Sequence, residues 1–212
     1  MNFRMSGKRK TYRSKSHKSK KLPLAIGLLI IIGVVAVAVY MFSMNNPSGT
    51  GDSNTPAGKV LLQTSMGDIT IQLRDDKPIT TGNFKNLVQQ GVYDGTIFHR
   101  VIADFMIQGG NNPNVAVATI SDEIGNDNHN IIGTVAMAKT SQPNSATSQF
   151  FINVVDNSKK VYQDGTTFDG TYTVFGTVIS GMDVANAISK VATDSNDRPV
   201  TDVTLIKAEI IS

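Results

Sequence analysis

The 212-residue chain contains no cysteine and no tryptophan. The absence of cysteine excludes disulfide scaffolds, zinc ribbons, CxxC redox pairs, thiol catalysis and cysteine-linked lipid anchors. Charged residues make up 17% of the chain, below the roughly one quarter usual in soluble domains, which excludes a disordered polyelectrolyte. Histidine is scarce as well: only His17, His99 and His129. Acidic residues are missing altogether before Asp52, whereas nine of the twenty Lys and Arg crowd into Met1–Lys21, leaving eleven basic against seventeen acidic residues after Lys21. The formal net charge of +3 therefore averages a basic tail with an acidic remainder. Basicity spread over a domain suggests nucleic-acid binding; confined to a tail, it does not, and no nucleic-acid partner is expected.

Immediately after the basic tail, Leu22–Met44 runs for 23 residues without a charge, rich in Ile, Leu and Val, with Tyr40 and Phe42 near its far end. About 20 such residues in a helix span the roughly 30 Å hydrocarbon layer. The pattern predicts one transmembrane signal-anchor helix over 22–44, with the tail 1–21 kept in the cytoplasm because positive flanks resist translocation. A cleaved signal peptide is the competing reading, since Ala36-Val37-Ala38 offers a small-residue site and cleavage would release a secreted domain. The long tail, and an apolar run beyond the ~7–15 residues of a signal-peptide core, favour the anchor. Either way the remainder lies outside the cytoplasm, and the expected localisation is the cell membrane. Residues 45–58 (NNPSGTGDSNTPAG) are turn formers and small polar residues, a flexible linker. Residues 59–212 then form the folded domain, near the common domain size.

Within it, Val60–Thr64 and Ile69–Leu73 read as a hairpin, the second arm alternating apolar and polar residues. Pro78 opens a helical stretch with Phe84, Leu87 and Val88 on one face and Gly91 to close it. Thr96–Ile102, Phe105–Gln108, Ile131–Ala138, Gln149–Val155, Thr173–Ile179 and Val203–Ile211 are β-branched and aromatic-rich, with Gly, Asn, Asp or Pro between them, and read as strands. A second helix is predicted over Met182–Val191, with Val184, Ala185, Ile188 and Val191 inward. Eight strands and two short helices without βαβ alternation predict a mainly-β fold, a closed eight-stranded antiparallel barrel capped by two helices.

Familiar chemical motifs fail on inspection. Gly133–Thr140 (GTVAMAKT) nearly matches a phosphate-binding loop, but Ala138 replaces its second glycine and the residues between read as a strand. Asp122–His129 (DEIGNDNH) lacks any EF-hand or HExxH spacing and reads as a solvated turn. There is no GxSxG, and two domain histidines leave little for a catalytic triad.

Three segments together resemble the cyclophilin family of peptidyl-prolyl isomerases: Tyr93–Gly110 (YDGTIFHRVIADFMIQGG), Ile132–Val154 (IGTVAMAKTSQPNSATSQFFINV) and Phe168–Gly181 (FDGTYTVFGTVISG). Their order and spacing agree too, and the resemblance covers essentially all of 59–212. It implies an eight-stranded barrel with two capping helices, and an isomerase that needs no metal or cofactor. It also implies a monomer whose substrates are proline-containing polypeptides, unfolded or newly exported. By position, Arg100 resembles the catalytic arginine. Phe105, Met106 and Phe151 resemble the lining of the proline pocket, with Phe168 at a position the family usually gives to Leu. Gln108 and Gln149 resemble the polar residues that support the arginine and hydrogen-bond substrate. Ala138 and Lys139 fall on the edge that holds the substrate backbone, and Tyr172 falls where many members have His. Thr167 stands where many have Trp, which implies weak cyclosporin binding.

The implied chemistry accounts for the residue types. An X–Pro amide resists rotation by about 20 kcal/mol because nitrogen shares its lone pair with the carbonyl. Twisting the bond returns that pair to a pyramidal nitrogen, which only then accepts a hydrogen bond. A cation placed there binds the twisted state better than either planar isomer, as catalysis requires. No proton is transferred. A proline-motif adaptor or holdase with incidental isomerase activity is the alternative. The isomerase reading requires Arg100 to face an apolar notch without being consumed by an internal ion pair.

Overall fold

The computed structural model describes residues 58–212. The predicted basic tail, membrane helix and nearly all of the linker lie outside the described residues. Among the described residues, no helix is long and apolar enough to cross a membrane.

The chain opens with a hairpin. Strand β1 (Lys59–Thr64) pairs antiparallel with β2 (Gly67–Leu73), from Lys59 opposite Gln72 down to Thr64 opposite Gly67. The turn is Ser65-Met66, tighter than predicted. Helix α1 (Pro78–Gln89) begins at proline, whose fixed φ and missing N–H suit the first helical position. Its next two amides, of Ile79 and Thr80, donate to the Glu123 carboxylate at 3.1 and 2.8 Å. It ends where Gly91, at φ +66°, lets Val92 N–H reach back to Leu87 C=O at 3.0 Å. Its apolar stripe, Phe84, Leu87 and Val88, is buried as predicted. Helix α2 (Met182–Ile188) is shorter than predicted; Ala185 and Ile188 are buried, and Val184 and Val191 pack partly buried against the same core.

The remaining strands are β3 (Thr96–Ile97), β4 (Arg100–Ile102), β5 (Met106–Gly109), β6 (Thr134–Met137), β7 (Phe150–Asn153), β8 (Val174–Ser180) and β9 (Thr204–Ile211). They form one antiparallel sheet in the order β3-β9-β1-β2-β8-β6-β7-β5-β4, with α1 against β8 and β9 and α2 against β2. The predicted single strand Thr96–Ile102 is in fact two, interrupted at Phe98-His99: its first half pairs with β9 and its second with β5. The sheet's two edges are thus consecutive in the chain, which forces the sheet to curl until they approach. The eight-stranded, hydrogen-bonded ring is corrected to a curled nine-stranded sheet with two helices. The cause is competition between distant partners: Phe98 is buried and its amide donates to Val203 C=O at 2.9 Å, while Val101 N–H turns to Asp197 C=O at 2.8 Å.

The main core lies inside the curl. Phe84, Tyr93, Phe98, Phe150 and Phe175 meet there, most ring pairs edge-on or tilted with centroids 4.8–6.4 Å apart, the geometry that aromatic quadrupoles favour. Tyr93 is fully buried, which pushes its phenol well above the usual range, and its hydroxyl donates to Ser148 C=O at 3.0 Å.

Candidate active site

Strands β5, β6 and β7 explain the site. A strand turns successive side chains to opposite faces. Ile107, Val135, Met137, Phe150 and Ile152 enter the main core, whereas their neighbours Met106, Ala136 and Phe151 point the other way. There they meet Phe168 and Val174, with Ile102, Phe105, Ala138 and Tyr172 packed around them. The outward cluster floors a notch of about 420 Å³.

Nine of the ten site residues predicted from sequence line that notch: Arg100, Phe105, Met106, Gln108, Ala138, Lys139, Phe151, Phe168 and Tyr172. The tenth, Gln149, lines an adjoining depression of about 180 Å³, with Gln108, Ala138 and Lys139 bordering both. Phe168 is the hub, 5.5 Å from Phe105, 5.6 Å from Phe151 and 4.7 Å from Tyr172 between ring centroids. The strand connections hold the two ends of the wall. The Asp104 turn, at φ +55°, joins β4 to β5. After β5, Gly110 at φ +78° lies so close to Ser148 C=O that a Cβ would sit 2.8 Å away, so the second glycine of the pair is needed sterically.

Arg100 stands opposite Gln108 across the β4–β5 ladder. Gln108 does not bond it, however: its Nε2 donates to Gln149 Oε1 at 2.9 Å. The support comes from Asp197, whose Oδ2 accepts Arg100 Nε at 3.3 Å. The expected role of the glutamine as the arginine's anchor is corrected accordingly. Both side chains of the Arg100–Asp197 pair are solvent-accessible, 44% and 43% exposed, so this is not an internal ion pair. Such pairs contribute about 0–1 kcal/mol. Among the described residues, Arg100 Nη1 and Nη2 donate to no protein acceptor, and the fork they form remains at the notch.

Lys139 departs from its predicted place on the substrate edge in one respect. Its ammonium is buried against Asp122 at 2.6 Å, while Ala138 N–H donates to Gln149 C=O at 2.9 Å. His99, beside Arg100, has a pKa lowered from its ordinary value chiefly by burial; its Nδ1 is buried without a hydrogen-bond partner.

Behind the wall lies a network that sequence reasoning missed. Asn128, Asn130, Asn153 and Asn157 are all buried. Asn157 Nδ2 donates to Phe105 C=O at 2.9 Å and to Asn153 Oδ1 at 2.8 Å; Asn153 in turn reaches Thr134 Oγ1 at 2.9 Å. Asn128 Nδ2 donates to Asp169 C=O at 2.6 Å and to Tyr172 C=O at 2.8 Å, and its Oδ1 accepts Val174 N–H at 2.8 Å. Asp169 takes Asn130 N–H at 2.6 Å. The segments carrying Phe105, Phe168 and Tyr172 are therefore fastened from behind. Asp122–His129 is no mere solvated turn, since it supplies Glu123 to α1 and Asn128 to this network.

A family model for cyclophilin type peptidyl-prolyl cis-trans isomerase/CLD matches residues 59–210. The chain belongs to the cyclophilin family. It is 46% identical over 162 residues to the peptidyl-prolyl cis-trans isomerase cyp18 of Streptomyces antibioticus, covering 72% of this chain and 98% of that protein. It is 44% identical over 154 residues to peptidyl-prolyl cis-trans isomerase B of Escherichia coli, covering 68% and 94%. In three dimensions it is similar to a cyclophilin-type isomerase of Cryptosporidium parvum solved in the presence of the dipeptide Ala-Pro. That match has a TM-score of 0.63 and 28% identity over 73% of this chain and 99% of that one. This cyclophilin is a peptidyl-prolyl cis-trans isomerase.

Asp197 and Tyr162 are site residues that the motifs did not name. Asp197 sits in a turn-forming stretch (DSNDRP) far along the chain. Tyr162, which also lines the notch, is an isolated aromatic in a polar run (KKVYQDGTT), and that isolation was the one available signal.

Proposed function

We propose that this cyclophilin turns over X–Pro bonds of unfolded or newly exported polypeptides, with the proline ring in the notch and Arg100 donating to the prolyl nitrogen as the amide twists. The observation that carries the reading is the uncommitted Nη fork of Arg100 beside an aromatic wall. Phe105, Met106, Phe151 and Phe168 exclude water around the ring, which strengthens a hydrogen bond made there. By analogy with oxyanion donors, one such contact realised only in the transition state contributes about 3–4 kcal/mol, or roughly 10²–10³ in rate. The remainder comes from holding ring and flanking backbone in a twisted arrangement. The pair with Asp197 leaves this chemistry intact because it engages Nε alone. The uncharged run 22–44 behind a basic tail supports placing the domain outside the cytoplasm on a membrane tether.

The test is the isomerisation rate of a short X–Pro peptide with the full-length chain and with Arg100→Ala. A loss of about 10²–10³ in kcat/KM is expected. Equal rates would remove Arg100 from the mechanism. Unchanged peptide binding by Arg100→Ala, with full biological complementation, would favour the adaptor or holdase role.

A further inference from the structure

Between Lys160 and Phe168 the chain forms a small hairpin on the rim of the notch. Val161 and Thr167 bridge across it, Tyr162 N–H donates to Thr166 C=O at 2.8 Å, and Gly165, at φ +83°, closes the tip with its amide on Tyr162 C=O at 3.0 Å. Its base is tied to the pocket twice. Phe168 N–H donates to Lys160 C=O at 2.9 Å, and the Lys160 ammonium lies 3.7 Å from the centre of the Phe105 ring.

The hairpin delivers Tyr162 to the site. Its ring stacks on Phe168, 6.0 Å between centroids and 22° between planes, and its hydroxyl lies 3.0 Å from that of Tyr172. Burial and the bond to Tyr172 raise the Tyr162 phenol above its ordinary range, so it stays protonated at neutral pH. Two phenols carry two hydroxyl protons. One is used between the oxygens; the other is left to donate, and among the described residues neither hydroxyl has a further protein partner. Tyr162, Tyr172 and Arg100 line the same notch, so the pair and the guanidinium address the same space.

The chemistry of the substrate selects what such a pair can grip. Proline has no N–H, so the groups flanking the rotating bond offer carbonyl oxygens, and a site there needs donors. We propose that the Tyr162–Tyr172 hydroxyl pair is a second donor to the substrate, binding a carbonyl oxygen next to the rotating X–Pro bond, and that the 160–168 hairpin sets specificity by presenting it. This rests on the notch being the isomerase site.

The experiment compares full-length wild type, Tyr162→Phe, Tyr172→Phe and the double variant on an Ala-Pro peptide, with kcat and KM separated and thermal midpoints recorded. Each single variant keeps one hydroxyl and is expected to lose about threefold in kcat/KM. The double variant should lose about tenfold, carried mainly by KM. Midpoints should hold because both rings remain. A double variant within twofold of wild type in both constants overturns the proposal, as does a loss confined to variants whose midpoint falls in step. Arg100→Ala runs alongside: if it matches wild type, the isomerase-site reading fails, an outcome distinct from failure of the tyrosine pair.

Discussion

Adjacent residues of β7 belong to two different interiors. Phe150 is fully buried in the main core among Phe84, Tyr93 and Phe98, whereas Phe151, one residue on, faces Phe168 and Tyr172 in the notch. Both are almost wholly shielded from water, yet their surroundings differ in kind. The inner cluster is closed on all sides by apolar groups. The outer one is open along the edge where Arg100 stands and is backed by buried asparagines. A sheet covered on both faces thus divides its labour by strand alternation, one face for cohesion and the other for chemistry.

That division can be broken most forcefully at the strand where it is sharpest. Phe150→Ala should cost about 3–5 kcal/mol, read from urea unfolding, with turnover per folded molecule near normal. Phe151→Ala should cost less, since part of its ring borders the notch, but should raise KM several-fold. Equal costs and equal kinetics would abolish the distinction. A step down in size is Asn153→Ala, which removes the bonds that Asn153 makes to Thr134 Oγ1 and Asn157 Nδ2 and should cost about 1–3 kcal/mol. It should also raise KM, because Asn157, which holds Phe105 C=O, loses its own bond to Asn153; stability loss without a kinetic effect would show that the network only fills space.

Smaller again is Asp197→Asn. Asparagine tolerates the φ of +62° found there but lacks the charge, so kcat should fall by no more than about fivefold, as befits an exposed ion pair. A larger fall would make Asp197 more than a tether. The gentlest probe is pH. Burial lowers the pKa of His99 below its ordinary 6.5, so the unfolded chain binds that proton more tightly. The associated stability is fully present above about pH 6.5 and is lost as pH falls towards the folded value. The urea midpoint should drop between pH 7.5 and 5.5, and less steeply in His99→Gln. Turnover per folded molecule should stay level, because the proposed step transfers no proton. A turnover that tracks the His99 titration would bring this histidine into the mechanism.

Much of this was legible beforehand. The β1–β2 hairpin and α1 with its proline start and glycine stop followed from periodicity and turn residues, and nine of the ten notch residues from the resemblance to the cyclophilin family. The breaks came where partners distant in sequence compete for one segment. Thr96–Ile102 alternates like one strand, yet its halves pair with strands more than ninety residues apart in the chain. Lys139 was legible as an edge residue, but not as the buried partner of Asp122.

What the sequence by itself determined is what depends on neighbours along the chain, side-chain alternation and helix ends, together with the residue pattern that resembles the family. Only the tertiary structure decided which carboxylate holds Arg100, how four scattered asparagines brace the wall, and that Tyr162 leans onto Phe168. The arginine's carboxylate and most of the asparagine bonds join segments tens of residues apart, and hydrogen-bond partnership at such range depends on where the sheet's curvature brings the chain back, which no local pattern encodes; Tyr162 and Phe168 are near in sequence, but the aromatic wall they stack against is not.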